Sequence, residues 1–89
     1  MKRKFVNVIG MELERWSNKG CIAYFGVEKD WATLYDIRST NEGKGEATEL
    51  LIEAKTYYES QSKKFGGSVA LNDRMKKIYQ RLQIVEYTE

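Results

Sequence analysis

The residues of this chain best suited to chemistry are two glycines around Lys44 and, further along, Asn72 and Tyr79. Gly43 and Gly45 belong to the segment EGKGEA, which separates a run of strand-like alternation from a run of helical spacing. The first turn of a helix has unsatisfied N–H groups and a partial positive charge, and glycines let a ligand approach the backbone closely. The segment is therefore a candidate phosphate or pyrophosphate site, with a simple flexible turn as the alternative.

Neither of the two common glycine-rich phosphate motifs is present in this segment. A Walker A loop ends in Gly-Lys-Ser/Thr, whereas Lys44 is followed by Gly45. The dinucleotide fingerprint G-x-G-x-x-G needs a third glycine where Thr48 stands. The position of the segment between a strand and a helix is thus more informative than its glycines.

Asn72 and Tyr79 belong to the segment ALNDRMKKIYQRLQIVEY, which follows the short apolar run SVAL. Asn72 is expected at the carboxyl end of a strand, and Tyr79 lies about two helical turns later on the same helix face. Open α/β sheets bind ligands in the crevice at the carboxyl ends of parallel strands. As alternatives, Asn72 only caps the helix, and Tyr79 only packs in the core, on a stripe with Met75, Ile78 and Leu82.

The residues that are missing exclude several kinds of site. The chain has no histidine and one cysteine, Cys21, which excludes a Ser-His or Cys-His nucleophile pair and an intrachain disulfide. Zinc sites normally need Cys and His ligands, so no metal site is expected. Cys21 lies in the alternating run GCIAYFGV and is expected to be a small buried side chain rather than a reactive thiol.

Length and composition predict a single domain spanning residues 1–89. Hydrophobic residues make up 42% and charged residues 31%, which is typical of a globular domain. The apolar part of the amino terminus is interrupted by Asn7, Glu12 and Glu14, so we expect a cytoplasmic protein with neither signal peptide nor membrane partner. The basic stretch Lys63–Arg81 is expected to be a solvated helix face, and nucleic-acid binding is the less favoured interpretation.

Alternating hydrophobicity in the first part of the chain predicts an antiparallel meander of three strands. They are expected, the first with a break near Gly10, at residues 4–16, 21–27 and 31–37. Trp31 and Tyr35 share one face of the third strand and are expected in the core or an interface rather than in a base-stacking platform. Asp36 is expected on the opposite face from Tyr35 and Ile37.

The second part of the chain predicts two helices and two further strands in a mixed sheet. Helical spacing runs from Ala47 to Phe65, and Gly66 and Gly67 are expected to close this helix. A buried strand SVAL, a helix from Asn72 and a last strand IVEY complete the order β-β-β-α-β-α-β of an α+β domain. The third strand, the long helix and SVAL would form a parallel crossover unit, expected to be right-handed.

Two of these segments, in this order, resemble the GNAT superfamily of N-acetyltransferases. The acetyl-CoA loop of the family reads Gln/Arg-x-x-Gly-x-Gly/Ala, and EGKGEA matches it at Gly45 and Ala47. ALNDRMKKIYQRLQI is similar to the family segment Asn-x-Arg-Ala-x-x-Leu-Tyr-x-x-Leu-Gly-Phe at Asn72, Arg74, Ile78, Tyr79 and Leu82. The resemblance covers about residues 20–88. It implies a GNAT-like fold and transfer of an acetyl group from acetyl-CoA to an amine that the sequence does not identify.

The resemblance also implies a role for each residue of the two motifs. The N–H groups of the loop would bind the pyrophosphate of coenzyme A, at Gly43, Lys44, Gly45, Glu46 and Ala47. The backbone of the preceding strand would contact the acetyl and pantetheine parts, at Tyr35, Ile37 and Arg38. Asn72 would contact the cofactor, and Tyr79 would protonate the leaving thiolate, because a phenol can supply a proton.

The chain departs from the family pattern at three positions and in length. Glu42 stands where the family has Gln or Arg, Gln83 where it has Gly, and Ile84 where it has Phe. The usual amino-terminal helices of the acceptor site have no counterpart, and no general base is evident. These departures support an alternative, a catalytically inactive GNAT-like scaffold that acts by coenzyme A binding or protein–protein contacts. A chain of this size is also expected to gain stability as a homodimer.

Overall fold

The structure is a computed structural model that describes residues 2–18, 20–39, 45–68 and 73–86. These residues form an α+β fold in which two helices pack against a mixed six-stranded sheet. The strands, which follow one another in the sheet as they do in the chain, are β1 (Lys2–Val8), β2 (Met11–Ser17), β3 (Cys21–Val27), β4 (Trp31–Ser39), β5 (Lys64–Gly67) and β6 (Val85–Glu86). The helices are α1 (Glu46–Ser60) and α2 (Asp73–Leu82). Neither of these helices of the described residues has the length and apolar character needed to cross a bilayer.

The strand predicted at residues 4–16 is two strands joined by a tight hairpin. β1 and β2 pair antiparallel through to Val8 and Met11, so that only Ile9 and Gly10 lie between them. Both turn residues have left-handed backbone angles, φ 49° and φ 78°, as a type I′ hairpin turn requires. The predicted order β-β-β-α-β-α-β lacked this strand, because a two-residue turn leaves the hydrophobic pattern almost uninterrupted.

β3 and β4 form the second hairpin of the predicted meander, and a β-bulge interrupts their register. Tyr24 pairs with Asp36 while Phe25 pairs with Leu34, so Tyr35 is the additional residue on β4. Tyr35 and Asp36 consequently share one face of β4, where both line the same groove. The prediction that Asp36 faces away from Tyr35 was wrong, because alternation cannot be counted through a bulge.

Helix α1 ends at Ser60, earlier than the predicted end at Phe65. The N–H group of Lys63 donates to the carbonyl oxygen of Tyr58 over 3.1 Å, and Ser62 has a left-handed φ of 63°. These features reverse the chain direction as in other left-handed helix ends. Phe65 follows the helical spacing of the sequence, yet it enters the core from a strand.

The strand predicted at SVAL lies earlier, at β5, and contains the two glycines that were expected to close the helix. β5 pairs parallel with β4 from Trp31↔Lys64 to Leu34↔Gly67, and β6 pairs parallel with β5. The predicted parallel arrangement around the long helix is thus confirmed, with a different strand. Ser68 follows β5, and residues 69–71 of SVAL lie outside the described part of the chain.

Both helices cover the same face of the sheet. Helix α1 buries Leu50 and Leu51 against it. Tyr79 of α2 reaches the same face, because its ring lies against Gly67, whose Cα partner Leu34 is a core residue. The buried cluster consists of Trp16, Cys21, Ala23, Phe25, Ala32, Leu34, Ala47, Leu50, Leu51, Ala54, Tyr58, Phe65, Ile78, Tyr79 and Ile84.

Trp31 and Tyr35 lie on the opposite face of the sheet and not in this core. Trp31 alternates with the fully buried Ala32, and the Lys64 amine lies 5.6 Å from the centre of its ring. Tyr35 is 44% exposed. Of the two predicted places, core or interface, the core is therefore wrong, because the described residues put both helices on the other side of the sheet, and an interface stays a prediction.

A buried polar group links β2 to the end of α1. The Tyr58 hydroxyl donates to the Glu14 carboxylate and accepts a hydrogen bond from Trp16 Nε1 at 2.9 Å. Arg3 approaches the other carboxylate oxygen at 3.5 Å and stacks its guanidinium 3.9 Å from the centre of the Tyr57 ring. Burial and the neighbouring Glu14 carboxylate raise the pKa of Tyr58, so its proton stays available for the bond.

Replacing Tyr58 by phenylalanine should therefore destabilise the fold by about 1–3 kcal/mol. The change leaves the Trp16 N–H group without this acceptor and the buried Glu14 carboxylate without this donor, while the ring volume is kept. Urea denaturation would measure the loss. Tyr57→Phe is the matched control and should change stability by less than about 0.5 kcal/mol. Equal stabilities of the two variants would show that the buried group contributes nothing.

Candidate functional site

The pairing of β4 with β5 ends where the second half of β4 begins. The last Cα pair is Leu34↔Gly67, and the N–H group of Ser68 donates to the carbonyl oxygen of Leu34 over 2.9 Å. Beyond this point β4 continues to Ser39, paired with β3 on one side. Among the described residues, no partner lies on its other side. Within the described residues the parallel pairing thus ends at Leu34 and Ser68, and open sheets bind ligands at such carboxyl ends of parallel strands.

The β-bulge lies at this same point of β4. Tyr35, its additional residue, directly follows Leu34, the last residue that pairs with β5. A bulge bends its strand and increases the local twist, which turns backbone groups out of the regular ladder. β4 is the strand whose backbone the GNAT resemblance assigns to cofactor contacts, and its bulge lies at Tyr35, one of the residues expected to make them. No signal in a single sequence indicates the bulge.

The Tyr79 hydroxyl reaches the end of β5 from helix α2. It donates to the carbonyl oxygen of Ser68 over 2.9 Å. Gly67 permits this approach, because a Cβ atom there would overlap the hydroxyl. Here the end of the β4–β5 pair, with Leu34, Gly67, Ser68 and Tyr79, is called the strand-end site.

The Tyr79 hydroxyl is protonated at neutral pH, as in other tyrosines, and burial keeps it protonated to higher pH. Loss of hydration raises its pKa above the usual value for tyrosine, and the Glu86 carboxylate raises it further, against a smaller opposite effect of the Ser68 side chain. Tyr79 also packs in the core with Ile78, as the simpler sequence interpretation predicted. Packing and proton donation are compatible, because the ring is buried while the hydroxyl lies at the strand end.

The amino terminus of α1 begins at the predicted loop. Gly45 is the N-cap with a left-handed φ of 74°, a conformation that glycine adopts at little cost, and its carbonyl accepts from the Glu49 N–H group over 2.9 Å. Ala47 is buried against the core, and the Asn18 amide donates to the carbonyl of Glu46 over 3.2 Å. The first turn of α1 is therefore fixed by the packing of Ala47 and by the hydrogen bond from Asn18.

The Glu46 side chain has a feature that the sequence did not indicate. One carboxylate oxygen, Oε2, is buried and has no hydrogen-bond partner among the described residues. Burial and, to a smaller extent, the Glu46 charge raise the pKa of Cys21 to about 11. The Cys21 thiol is thus a buried, protonated group, as predicted. A carboxylate at the first helical position also lies close to where a bound phosphate would be expected.

Several predicted site residues lie outside the described part of the chain: Glu42, Gly43, Lys44 and Asn72. Of the others, Tyr35, Ile37 and Arg38 belong to the half of β4 beyond its pairing with β5. Ile37 is partly buried on the core face, whereas Arg38 is exposed on the other face and bonds Asp36 at 3.1 Å. The structure thus brings this half of β4 and Tyr79 to the carboxyl end of the parallel strands.

Candidate bases and metal ligands are sparse. Glu14 is bonded to Tyr58 in the core, and Asp36 is paired with Arg38. Within the described ranges, no group of three or more His, Cys, Asp and Glu side chains is arranged to bind a metal ion.

Comparisons of the chain with protein-family models, curated proteins and solved structures returned no match. The function must therefore be inferred from the geometry of the site.

Proposed function

We propose that this chain is a GNAT-type N-acetyltransferase, which transfers an acetyl group from acetyl-CoA to an amine. One observation carries this proposal: the Tyr79 hydroxyl lies where the pairing of the parallel strands β4 and β5 ends among the described residues, next to a bulge in β4. β4 is also the strand that precedes helix α1, whose N-cap is Gly45. Further support comes from the chain order of the described motif residues, with Gly45 and Ala47 at the start of α1 and Tyr79 on α2.

Each element has a distinct task in this proposal. The first-turn N–H groups from Gly45 to Ala47, together with Gly43 and Lys44, bind the pyrophosphate, since helix amino termini favour anions. Backbone groups of Tyr35, Ile37 and Arg38 contact the pantetheine and polarise the thioester carbonyl. Asn72 contributes a further polar contact. The acceptor amine attacks the carbonyl carbon, and the C–S bond breaks as the acetyl group is transferred.

Tyr79 donates its proton to the sulfur as the C–S bond breaks. A general acid must be protonated before the reaction, and the raised pKa of Tyr79 meets this condition at neutral pH. In the structure that proton is donated to the Ser68 carbonyl, so the hydroxyl turns from this carbonyl to the sulfur before it donates. The resulting phenolate is neutralised again from solvent or from the proton released by the amine.

The catalytically inactive scaffold remains the second candidate function. Glu46 favours it, because a buried carboxylate without a hydrogen-bond partner at the helix start repels a bound pyrophosphate. The carboxylates of Glu14 and Asp36 favour the scaffold as well, because each already has a partner, Tyr58 or Arg38, and is not free to act as a general base. The scaffold hypothesis predicts no turnover even if coenzyme A binds, whereas the acetyltransferase hypothesis predicts turnover.

Isothermal titration of the protein with acetyl-CoA tests the proposal. We expect saturable binding with a dissociation constant between about 1 μM and 1 mM, the range usual for enzyme substrates. Acetyl-pantetheine, which has the thioester without the pyrophosphate, is the matched ligand and should bind more weakly. No heat and no thermal shift with millimolar acetyl-CoA would reject both candidate functions that involve coenzyme A.

Turnover separates the two candidates once binding is established. Release of the free thiol would be followed with a panel of small amines, peptide amino termini and lysine peptides. Thiol release that depends on the amine identifies the enzyme and its acceptor class. Binding without release under any of these conditions identifies the scaffold.

A further inference from the structure

The sheet face opposite the two helices, here called the outer face, has no helix over it among the described residues. Strand alternation, the pairing registers and the bulge at Tyr35 determine which side chains belong to it. They are Lys2, Lys4, Val6, Val8, Met11, Leu13, Arg15, Ser17, Ile22, Tyr24, Gly26, Trp31, Thr33, Tyr35, Asp36, Arg38, Lys64, Gly66 and Val85. The face therefore combines basic, aromatic and aliphatic side chains.

The charge of the outer face is strongly positive. Its ionisable side chains at neutral pH are five cations, Lys2, Lys4, Arg15, Arg38 and Lys64, and one anion, Asp36. Asp36 is already bonded to Arg38 over 3.1 Å. Lys2, Lys4 and Arg15 line a shallow groove of about 490 Å³, together with Arg3 and Ser17. The whole chain has a formal charge of only +2, so positive charge is concentrated on this face.

Two aromatic rings of the outer face lie against glycines. A Cβ atom at Gly26 would overlap the Tyr35 ring, and one at Gly66 would lie 3.2 Å from Trp31 Cζ3. Gly26 and Gly66 both pair with Thr33, so the three residues form one row across β3, β4 and β5. The row carries no bulky side chain, and its two glycines are two strands, about 9.6 Å, apart. The Tyr35 ring, 44% exposed, thus rests on Gly26 and presents its other side to a ligand. Trp31 is half-buried and lies against Gly66, with the Lys64 amine 5.6 Å from its ring centre.

We propose that the outer face binds single-stranded nucleic acid. Bases would stack on Tyr35 and Trp31, and phosphates would be neutralised by the surrounding lysines and arginines. Sheets that bind single strands combine these same two elements, a basic path and exposed aromatic rings. The path from β1 to β5 crosses four strand spacings, about 19 Å.

Other occupants fit the outer face less well. A second copy of the chain would bring two strongly positive surfaces together, which is repulsive. An acidic peptide would satisfy the cations and leave the flat rings unused. In a duplex the bases are stacked on one another and cannot reach Tyr35 and Trp31. The sequence expectation considered Lys63–Arg81 as the basic surface and disfavoured Trp31 and Tyr35 as a base-stacking platform. The sheet register instead places these rings on a different basic surface, which shares Lys64 with that stretch.

Fluorescence anisotropy with labelled oligonucleotides of about 12 nucleotides tests the proposal, a length within the ~4–16 nucleotides that single-strand-binding domains cover. Single-stranded RNA and DNA, a duplex of the same sequence and polyglutamate are compared at several salt concentrations. We expect the single strands to bind more tightly than the duplex, with affinity that falls as salt rises. Comparison of RNA with DNA identifies the natural ligand class. Equal binding of duplex, or displacement by polyglutamate at equal charge, would overturn the proposal.

Variants locate the binding on the outer face. Tyr35→Leu keeps an apolar side chain over Gly26 and should weaken binding about 5- to 150-fold, the value of one stacked base. Lys4→Ala with Arg15→Ala should reduce the slope of log affinity against log salt by about 0.7 for each phosphate that these side chains neutralise. Lys76→Ala with Lys77→Ala removes the same charge from α2 and should leave that slope unchanged. Equal effects of the two charge variants, or no measurable binding by the folded protein, would refute the proposal.

Discussion

Replacing Phe25 by alanine should lower the free energy of unfolding by about 3–5 kcal/mol. Phe25 is fully buried at the centre of the sheet. Its ring lies 5.5 Å from that of Tyr58, 5.6 Å from that of Phe65 and 6.2 Å from that of Trp16, between centres. The truncation would leave a cavity bordered by three large rings that cannot all move inward. Since small domains are stabilised by only about 5–15 kcal/mol, this loss removes roughly a fifth or more of the stability.

Urea denaturation followed by circular dichroism would measure this loss. Ile22→Ala is the matched control, because Ile22 belongs to the same strand and is exposed on the outer face. It should change stability by less than about 1 kcal/mol, as surface substitutions usually do. Phe25→Leu should fall between the two. A Phe25→Ala midpoint close to that of the wild type would contradict the aromatic core around this residue.

Replacing Tyr79 by phenylalanine should lower kcat by about 10²- to 10⁴-fold, the usual contribution of a general acid. The variant cannot protonate the leaving sulfur, while the backbone groups proposed to bind acetyl-CoA are untouched, so its dissociation constant should change little. The bond to Ser68 is lost as well, which should cost about 1 kcal/mol of stability and leave the protein folded.

The pH profile distinguishes proton donation from a structural role of Tyr79. The acid acts in its protonated form, so the wild-type rate should fall as pH rises through the pKa of Tyr79, which lies above the usual value. The Tyr79→Phe variant should lack this alkaline decrease. Tyr57→Phe serves as the matched control, with both kcat and the profile unchanged. A Tyr79→Phe variant with full kcat would rule out this tyrosine as the acid.

The two proposals share Tyr35 and Arg38, through backbone groups in one and through side chains in the other, and they can still fail independently. Acetyl-CoA would bind at the carboxyl end of β4 and β5, where Tyr79 reaches the strand end from the core face. Nucleic acid would bind across the outer face, through rings that rest on β3 and β5. Lys4 and Arg15 are distant in sequence from both cofactor motifs, so their variants report on nucleic-acid binding alone.

The sequence determined the kind of elements and much of their sequence order. Alternation over 21–27 and 31–37 predicted strands that the structure confirms, because side chains on a half-buried strand must follow the period of two. Helical spacing from Ala47 predicted α1, and Asn72 with the following apolar stripe predicted a helix where α2 lies. The absence of histidine and the single cysteine excluded whole classes of catalysis without any coordinates.

The tertiary structure decided where the elements end, which faces they present and which side chains meet. Phe65 fits a helix by spacing, yet it packs from β5, because the turn after Ser60 lets a strand pair with β4. The bulge at Tyr35 reverses the face of Asp36, since one additional residue shifts all later alternation in the strand. Contacts between residues far apart in sequence, such as Tyr58 with Glu14, depend on strand register, which local patterns do not encode.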